Sequence, residues 1–315
     1  MRQVVKFDKV WIDRMGWEVP GRQITTDEIA RQQGYEEGIN PGKDLGIKAK
    51  AGVFWDEDSV TLAVAAGKEV IKGYEEMIKA VYFGSESFVY SVKPSFGLVS
   101  GFWGLSNWLL GVDMEFACRA GAEAVVAAAN VVQAQGGVAV AIGADVAQAR
   151  KGDVLEFAAA AGAGVWLLTD RPKELGLKLE WVCAYTTDTA DFWRFEGKNY
   201  PLHGGRFTGE PAYFKHLQKV FEGLQKATGL GAGDYKKVAI HAPNLKFPMR
   251  LSKRLGFNWD QVKPVYVDWH GNPYTASVMI QAGIKAKELK KGERMLVLSF
   301  GSGAGGMGMV LVSDK

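Results

Sequence analysis

The chain is poor in the residues that staple small folds or hold metals: among 315 residues there are two cysteines, Cys118 and Cys183, and four histidines. Two thiols so far apart exclude a disulfide framework. With no C-x-x-C or H-x-x-x-H spacing they also exclude a zinc ligand set, so no metal is expected. A reducing compartment is the simpler setting for such a chain. Long apolar runs are lacking too. No stretch reaches the roughly 18 residues of a membrane span, and the alanine-rich run over 117–132 is broken by Arg119 and Glu123. The opening MRQVVKFDKVWIDRMG interleaves charges with apolar positions and so lacks the apolar core of a signal peptide. Blocks of like charge are absent: 38 Lys+Arg against 35 Asp+Glu give a net charge of +3. Scattered in this way they exclude the clustered basic face of a nucleic-acid binder. These absences predict a soluble, cytoplasmic protein that engages neither membrane nor nucleic acid, with a mild basic excess suited to an acidic small ligand.

What is present is core. Hydrophobic residues make up 47% and charged residues 23%, and 39 glycines punctuate short apolar runs. Residues 4–12 alternate loosely and read as a strand. Thr26 or Asp27 reads as the cap of a helix, residues 35–55 as Gly-rich loop, and residues 59–74 as a helix. A strand follows at 78–83, ending in Gly84-Ser-Glu-Ser87. A helix over 118–135 leads into an apolar strand at 138–142. The second half repeats the scheme: strand 179–185, helix 211–228, strand 238–240, a short helix from 247, a helix from 275 and a strand at 295–300. Apolar strands between helices predict sheets covered on both faces, an α/β layered core. Residues 162–170 resemble residues 307–314, and each follows a glycine-ended strand, at 138–143 and 295–301. A duplication would divide the chain into residues 1–172 and 173–315 and put a site where the halves meet.

Few residues could carry chemistry. Cys118, in Glu115-Phe-Ala-Cys118-Arg-Ala-Gly121, starts a helix pattern, where unpaired N–H groups and the dipole favour a thiolate. A small buried hydrophobe is the other reading of a lone cysteine. Cys183, mid-strand, reads as core. Glu86 follows a strand in a Gly/Ser turn; desolvation there would raise its pKa toward the range useful for acid–base work, and a solvated turn acid is the commoner reading of such a residue alone. His241 ends a strand and begins His-Ala-Pro-Asn244, in which Asn244 could supply an amide donor. His203 and His216 read as structural or peripheral. Residues 301–306, Gly-Ser-Gly-Ala-Gly-Gly, lack the Lys-Ser/Thr of a phosphate loop but could present backbone N–H groups to an oxyanion.

Together these segments resemble the hydroxymethylglutaryl-CoA synthase family of the thiolase superfamily, in its short archaeal and bacterial-type branch. The resemblance runs from about residue 58 to residue 305. It rests on Gly84-Ser-Glu-Ser87 with Val92-Lys-Pro94, Glu115-Phe-Ala-Cys118-Arg-Ala-Gly121, Ile142-Gly-Ala-Asp145, Gly152-Asp-Val-Leu-Glu156 and Thr186-Thr-Asp-Thr-Ala-Asp-Phe-Trp-Arg194. It continues through His203-Gly-Gly-Arg-Phe-Thr-Gly-Glu-Pro-Ala-Tyr-Phe-Lys-His216, His241-x-Pro-Asn244, Gly271-Asn272 with Tyr274, and Ser299-Phe-Gly-Ser-Gly-Ala-Gly305. The resemblance implies a thiolase-like five-layered αβαβα fold of two duplicated halves. It implies Cys118 as the acetylated nucleophile, Glu86 as the acid/base, and His241 and Asn272 as holders of the acceptor oxygen. Backbone N–H groups of Cys118 and Ser302 would form the oxyanion hole, with Asn244, Tyr274, Lys215 and Gly301 as substrate contacts. Coenzyme A would enter only as part of the substrates, acetyl-CoA and acetoacetyl-CoA, with no cofactor. A homodimer is implied, as is a larger complex with a thiolase and a zinc-ribbon/OB-fold protein.

The sequence also departs from the family pattern. Ala242 stands in place of Gln, Leu245 in place of Gly, and Gly271-Asn-Pro-Tyr-Thr-Ala276 in place of Gly-Asn-Thr-Tyr-Ser-Gly. Leu245 and Ala276 add bulk that would reshape the acyl pocket. Two alternatives therefore stand beside the synthase: a paralogue running a thiolase-like or ketoacyl-synthase-like (retro-)Claisen reaction on another acyl-CoA, and a non-catalytic scaffold subunit. Retention of Cys118, Glu86, His241 and Asn272 speaks against the scaffold.

Overall fold

The apolar runs fold into strands buried along almost their whole length, as a sheet sandwiched by helices requires. The computed structural model describes residues 4–315. Its main sheet has ten strands: β1 Val4–Lys6, β2 Trp11–Glu18, β3 Ile78–Gly84, β4 Leu110–Met114, β5 Val138–Val146, β6 Ala161–Thr169, β7 Leu177–Thr186, β8 Lys237–Ile240, β9 Arg294–Gly301 and β10 Gly305–Ser313. Four helices cover it: α1 Ser59–Ile71, α2 Ala120–Gln135, α3 Phe214–Thr228 and α4 Ala276–Ala286.

Four strands follow the same order twice, and β4 extends the first run alone. The first run is β2-β6-β5-β3-β4 and the second β7-β10-β9-β8, with β1 laid against β7. In each run the first strand is antiparallel to its neighbour, the next pair is antiparallel, and the pair beyond is parallel. The runs join where Trp11 and Ile12 of β2 meet Lys178 and Leu177 of β7. Helix α1 packs on the outer face of the first run in a cluster with Val81, Phe83, Val140 and Leu167. Helix α3 does the same for the second run with Val238, Leu296 and Val310. Between the runs lie α2 and α4, sharing one core with Trp166, Leu168, Val297 and Met309. Helix, sheet, helices, sheet, helix: this is the five-layered αβαβα arrangement.

Local chemistry sets the boundaries. Helix α1 starts at a capping box in which the Asp58 carboxylate accepts from Thr61 N at 2.7 Å and Thr61 Oγ1 accepts from Asp58 N at 2.7 Å. Helix α3 stops at Gly229, whose φ of 76° a glycine adopts without strain. Several sequence expectations need correction. The expected strand at 4–12 is two strands, broken at residues 7–10, where Phe7 and Val10 turn into the core. The early helix Thr26–Gln32 is capped by Thr25, whose side chain accepts from Glu28 N, and not by Thr26 or Asp27. Thr26 is buried instead, its hydroxyl bonded to the carbonyl oxygen of Ile47. Residues 35–55 are not all loop: they hold the short helix Pro41–Asp44 and the strand Ala49–Gly52, paired with Arg22–Thr25. Helix Ser95–Phe102 and strand β4 are elements that no pattern in the sequence predicts.

Three glycines fix how closely the layers approach at the strand ends. A Cβ on Gly84 would sit 2.3 Å from the carbonyl carbon of Ala120, and one on Gly143 would sit 3.1 Å from the Cα of Gly121. Strands β3 and β5 therefore touch the backbone at the start of α2. Gly84→Ala is expected to destabilise the fold by roughly 1–3 kcal/mol through overpacking. Gly97→Ala, in a helix with nothing within 4 Å of the added carbon, is expected to stabilise it slightly. Urea unfolding midpoints check both signs; a Gly84→Ala midpoint at or above the parent would contradict the packing argument.

Candidate active site

The close approach at Gly84 sets residues 85–87 beside the turn that precedes α2. Cys118 lies in that turn, a single 3-10 turn Ala117–Arg119, with α2 beginning at Ala120. Ala117 holds φ at 41°, in the left-handed region that favours glycine, so the surroundings must hold this turn in place. Cys118 is 5% exposed and packs with Ala159 and Tyr274. Its Sγ lies 3.8 Å from Glu86 Oε2, where the thiol donates to the carboxylate. Glu86 is half-buried and lines an open cleft of about 1710 Å³, whose walls also carry Trp55, Phe88, Tyr90, Phe96 and Phe192. Burial pushes the Glu86 carboxyl well above the ordinary carboxylate range, helped by the Asp145 charge and opposed by Arg194 and Cys118. The Cys118 thiol is likewise pushed up, first by burial and then by Glu86 and Asp145. Cys118 thus rests as a neutral thiol. This corrects the expectation that the helix start favours a thiolate: burial and two acids outweigh the dipole.

Asp145, at the end of β5, ties the site together. It is fully buried, and Oδ1 accepts from Ser85 Oγ at 2.8 Å, Glu86 N at 2.8 Å and Ser87 Oγ at 2.7 Å. Oδ2 accepts from Thr275 N at 2.9 Å and Thr275 Oγ1 at 2.7 Å. One carboxylate therefore holds the Glu86 turn and the start of α4 together. Asn272, three residues before Thr275, is 5% exposed; its Oδ1 accepts from Tyr274 N at 3.0 Å, and its backbone bonds to Ala158 and Ala160. Tyr274, with φ at 48°, is turned against Cys118. The turn after β9 closes on the nucleophile from the other half: a Cβ on Gly301 would sit 2.5 Å from the carbonyl oxygen of Phe116. Ser302 follows Gly301 in that turn, and Gly303 N donates to Asp191 Oδ1 at 2.6 Å. His241 follows β8 directly, is 1% exposed, and its Nδ1 has no hydrogen-bond partner among the described residues. Burial lowers its pKa to about 3, so the ring is neutral.

Comparison with known proteins decides the family. The chain is 40% identical over 302 residues to the hydroxymethylglutaryl-CoA synthase of Methanococcoides burtonii, covering 94% of this chain and 86% of that one. It is 43% identical over 298 residues to that of Aeropyrum pernix, covering 92% and 81%. The chain belongs to the hydroxymethylglutaryl-CoA synthase family. A family model described as 3-oxoacyl-[acyl-carrier-protein (ACP)] synthase III C terminal matches residues 224–312. Among solved structures, an HMG-CoA synthase complexed with CoA superposes with a TM-score of 0.89 at 22% identity, covering 98% of this chain and 83% of that one. Xanthomonas campestris OleA with bound lauric acid and lauroyl-CoA gives 0.86 at 19%, covering 97% and 99%. At such identities the structural matches speak for the fold alone.

Within this synthase family member, the expected residues divide. Cys118, Glu86, Tyr274, Asn272 and Gly301 converge through the contacts above. Asn244 commits Oδ1 to the helix Lys246–Leu255, accepting from Lys246 N at 2.9 Å and Phe247 N at 3.1 Å, so only its amide nitrogen could serve a ligand. Lys215 is exposed in the first turn of α3 and is not brought to the Cys118 cluster or the cleft wall. His203 pairs with Asp153 at 3.2 Å, and His216 is buried between the carbonyl oxygen of Ala212 and Thr187 Oγ1. Both read as structural, as expected. Leu245 and Ala276 sit in a cluster with Ile47, Ala242, Tyr266 and Ile280, distinct from that of Cys118, and Leu245 fills the space over Gly46. Their bulk is taken up against Leu45, Gly46 and Ile47, within a stretch whose composition predicts loop.

Asp145, Asp191, Arg119 and Arg194 were missed as site residues. The serines either side of Glu86, which both point to one acceptor, were the available signal for Asp145. Arg194 donates to the carbonyl oxygen of Glu86 at 2.7 Å, a contact across 108 residues that no local pattern announces. A test follows from the raised thiol. The pH midpoint of Cys118 alkylation by iodoacetamide should lie above the usual thiol value of about 8.5. Glu86→Gln should lower it, because a negative neighbour is lost. A midpoint unchanged or raised in that variant would contradict the electrostatics.

Proposed function

We propose that this family member condenses acetyl-CoA with acetoacetyl-CoA and water to hydroxymethylglutaryl-CoA through an acetyl group carried on Cys118. The observation that carries the reading is the 3.8 Å approach of Cys118 Sγ to Glu86 Oε2, a residue that lines an open cleft. In this reading Cys118 takes the acetyl group and releases CoA, which fixes the donor and makes the later condensation effectively unimolecular. Glu86 then removes a methyl proton, and the carbanion attacks the ketone carbon of the acceptor. A thioester α-proton is weakly acidic, so the base must be positioned and its pKa raised toward the working pH. His241, neutral, and Asn272 donate to the developing alkoxide. The N–H groups of Cys118 and Ser302 hold the thioester oxygen, which gains charge in each acyl step. Water finally hydrolyses the product from Cys118. Asn244, through its amide nitrogen, Tyr274 and Gly301 would contact the substrates. The only coenzyme in the scheme is the coenzyme A of the substrates, and no step requires a metal. The two halves, 1–172 and 173–315, contribute Cys118 with Glu86 and His241 with Asn272 respectively.

The same proposal includes cytoplasmic location, a place in mevalonate synthesis, and pairing as a homodimer. Support for pairing lies in the edge strand β4, where Leu110 and Val112 are 53% and 47% exposed beside Trp108 at 94% and Phe102 at 70%. An apolar open edge of this kind invites strand-to-strand association. A larger complex with a thiolase and a zinc-ribbon/OB-fold protein is part of the proposal on the resemblance alone. Membranes are left out of it: no helix among the described residues is long and apolar enough to cross one.

Mass spectrometry after incubation with acetyl-CoA tests the core of the reading. An acetyl adduct on Cys118 is expected, lost in Cys118→Ala. Glu86→Ala should still acetylate but release no condensation product with acetoacetyl-CoA, and loss of both steps in that variant would remove Glu86 from its assigned role.

A further inference from the structure

Beside the nucleophile lies a buried cation that the scheme above leaves without a task. Arg119 is 3% exposed. Its Nη1 donates to the carbonyl oxygen of Gly306 at 3.1 Å and reaches Thr186 Oγ1 at 3.4 Å. Nη2 pairs with Glu123, one turn along α2, and the guanidinium carbon lies 4.2 Å from the centre of the Phe116 ring. These partners fall on opposite sides of the junction between the halves. Phe116 and Glu123 flank Cys118. Gly306 and Thr186 belong to β10 and β7 and flank the turn at 301–305 that contains Ser302. Gly301 packs into the gap, where an added Cβ would lie 2.8 Å from the Cβ of Arg119. A planar fork that donates in two directions at once can hold two backbone segments in register; a methionine cannot, and a lysine does so poorly.

We propose that Arg119 is a positioning residue that fixes the spacing between Cys118 and the N–H of Ser302, and thereby the grip on the thioester oxygen during acylation. This rests on the reading of Cys118 as the acyl carrier. In that step the Cys118 thiol gives up its proton to solvent and Sγ bonds to the carbonyl carbon, while the electron pair of the C=O bond moves onto oxygen. Collapse re-forms the C=O bond and breaks the C–S bond to CoA, whose thiolate leaves and receives the proton. A misplaced oxyanion donor slows this step without weakening the binding of acetyl-CoA. It leaves untouched a reaction of Cys118 that develops no oxyanion, such as displacement of iodide from iodoacetamide.

The test compares the two reactions in one variant. In Arg119→Met, Cys118 acetylation by acetyl-CoA should fall about 10- to 100-fold, the scale of a misplacement of about 1 Å, while KM for acetyl-CoA and the iodoacetamide rate stay within about twofold. Glu123→Gln, which keeps the guanidinium and weakens only its anchor, should lose less in the same pattern, and it carries the test if Arg119→Met does not fold. Unchanged acetylation in both variants, or alkylation falling in step with acetylation, overturns the proposal. A parent protein that takes up no acetyl group overturns the proposed function itself, and is distinguished by appearing before any substitution is made.

Discussion

A carboxylate without water must recover its hydration from the protein, and Asp145 does so with five donors drawn from two segments. Ionised and unpaired at that depth it would cost several kcal/mol. Paired, it ties the Glu86 turn after β3 to the segment that runs from Asn272 into α4. The candidate base and the candidate acceptor-holding segment, 186 residues apart by number, share one anchor. Burial still raises the Asp145 carboxyl, so its charge also bears on Glu86 and Cys118 and lifts both. One buried charge therefore sets both geometry and proton affinity.

That anchor can act only because backbones touch. The glycines at 84, 121 and 143 remove side chains where β3, β5 and α2 converge, and Gly301 removes one where the second half closes over Phe116. The doubled strand order brings the two halves to this point with their turns facing one another. A second buried charge, Arg119, spans the junction with one hand on each half. Acid, base and turn are thus held by polar contacts inside an apolar frame, where such contacts are strong because water does not compete.

The fold was largely legible because its signals are local or periodic. Apolar runs such as 138–142 and 295–300 announce doubly covered strands, and the resemblance of 162–170 to 307–314 matches a repeated strand order. Helix starts were less legible. Thr25, Thr26 and Asp27 are all good caps, and only the burial of Thr26 against Ile47 decides between them. The short strand Ala49–Gly52 needs Arg22–Thr25 as its partner, and no pattern within it says so.

For the site, the residue types and their order along the chain nominated Cys118, Glu86, His241 and Asn272, because a nucleophile, a carboxylate and polar ends of strands recur in fixed sequence segments. The protonation state could not be read in that way. A helix start pointed toward a thiolate, whereas folding buries the sulfur beside two acids and holds it as a thiol, because desolvation and like charge are properties of the assembled environment and not of the neighbours in sequence. The anchors were invisible for the same reason: Asp145, Arg119 and Arg194 act across 59, 187 and 108 residues, distances that only the packed layers close. Sequence alone determined which chemistry this chain carries and the frame it folds into; tertiary structure decided which charges share a dry interior, and so which atoms hold the protons.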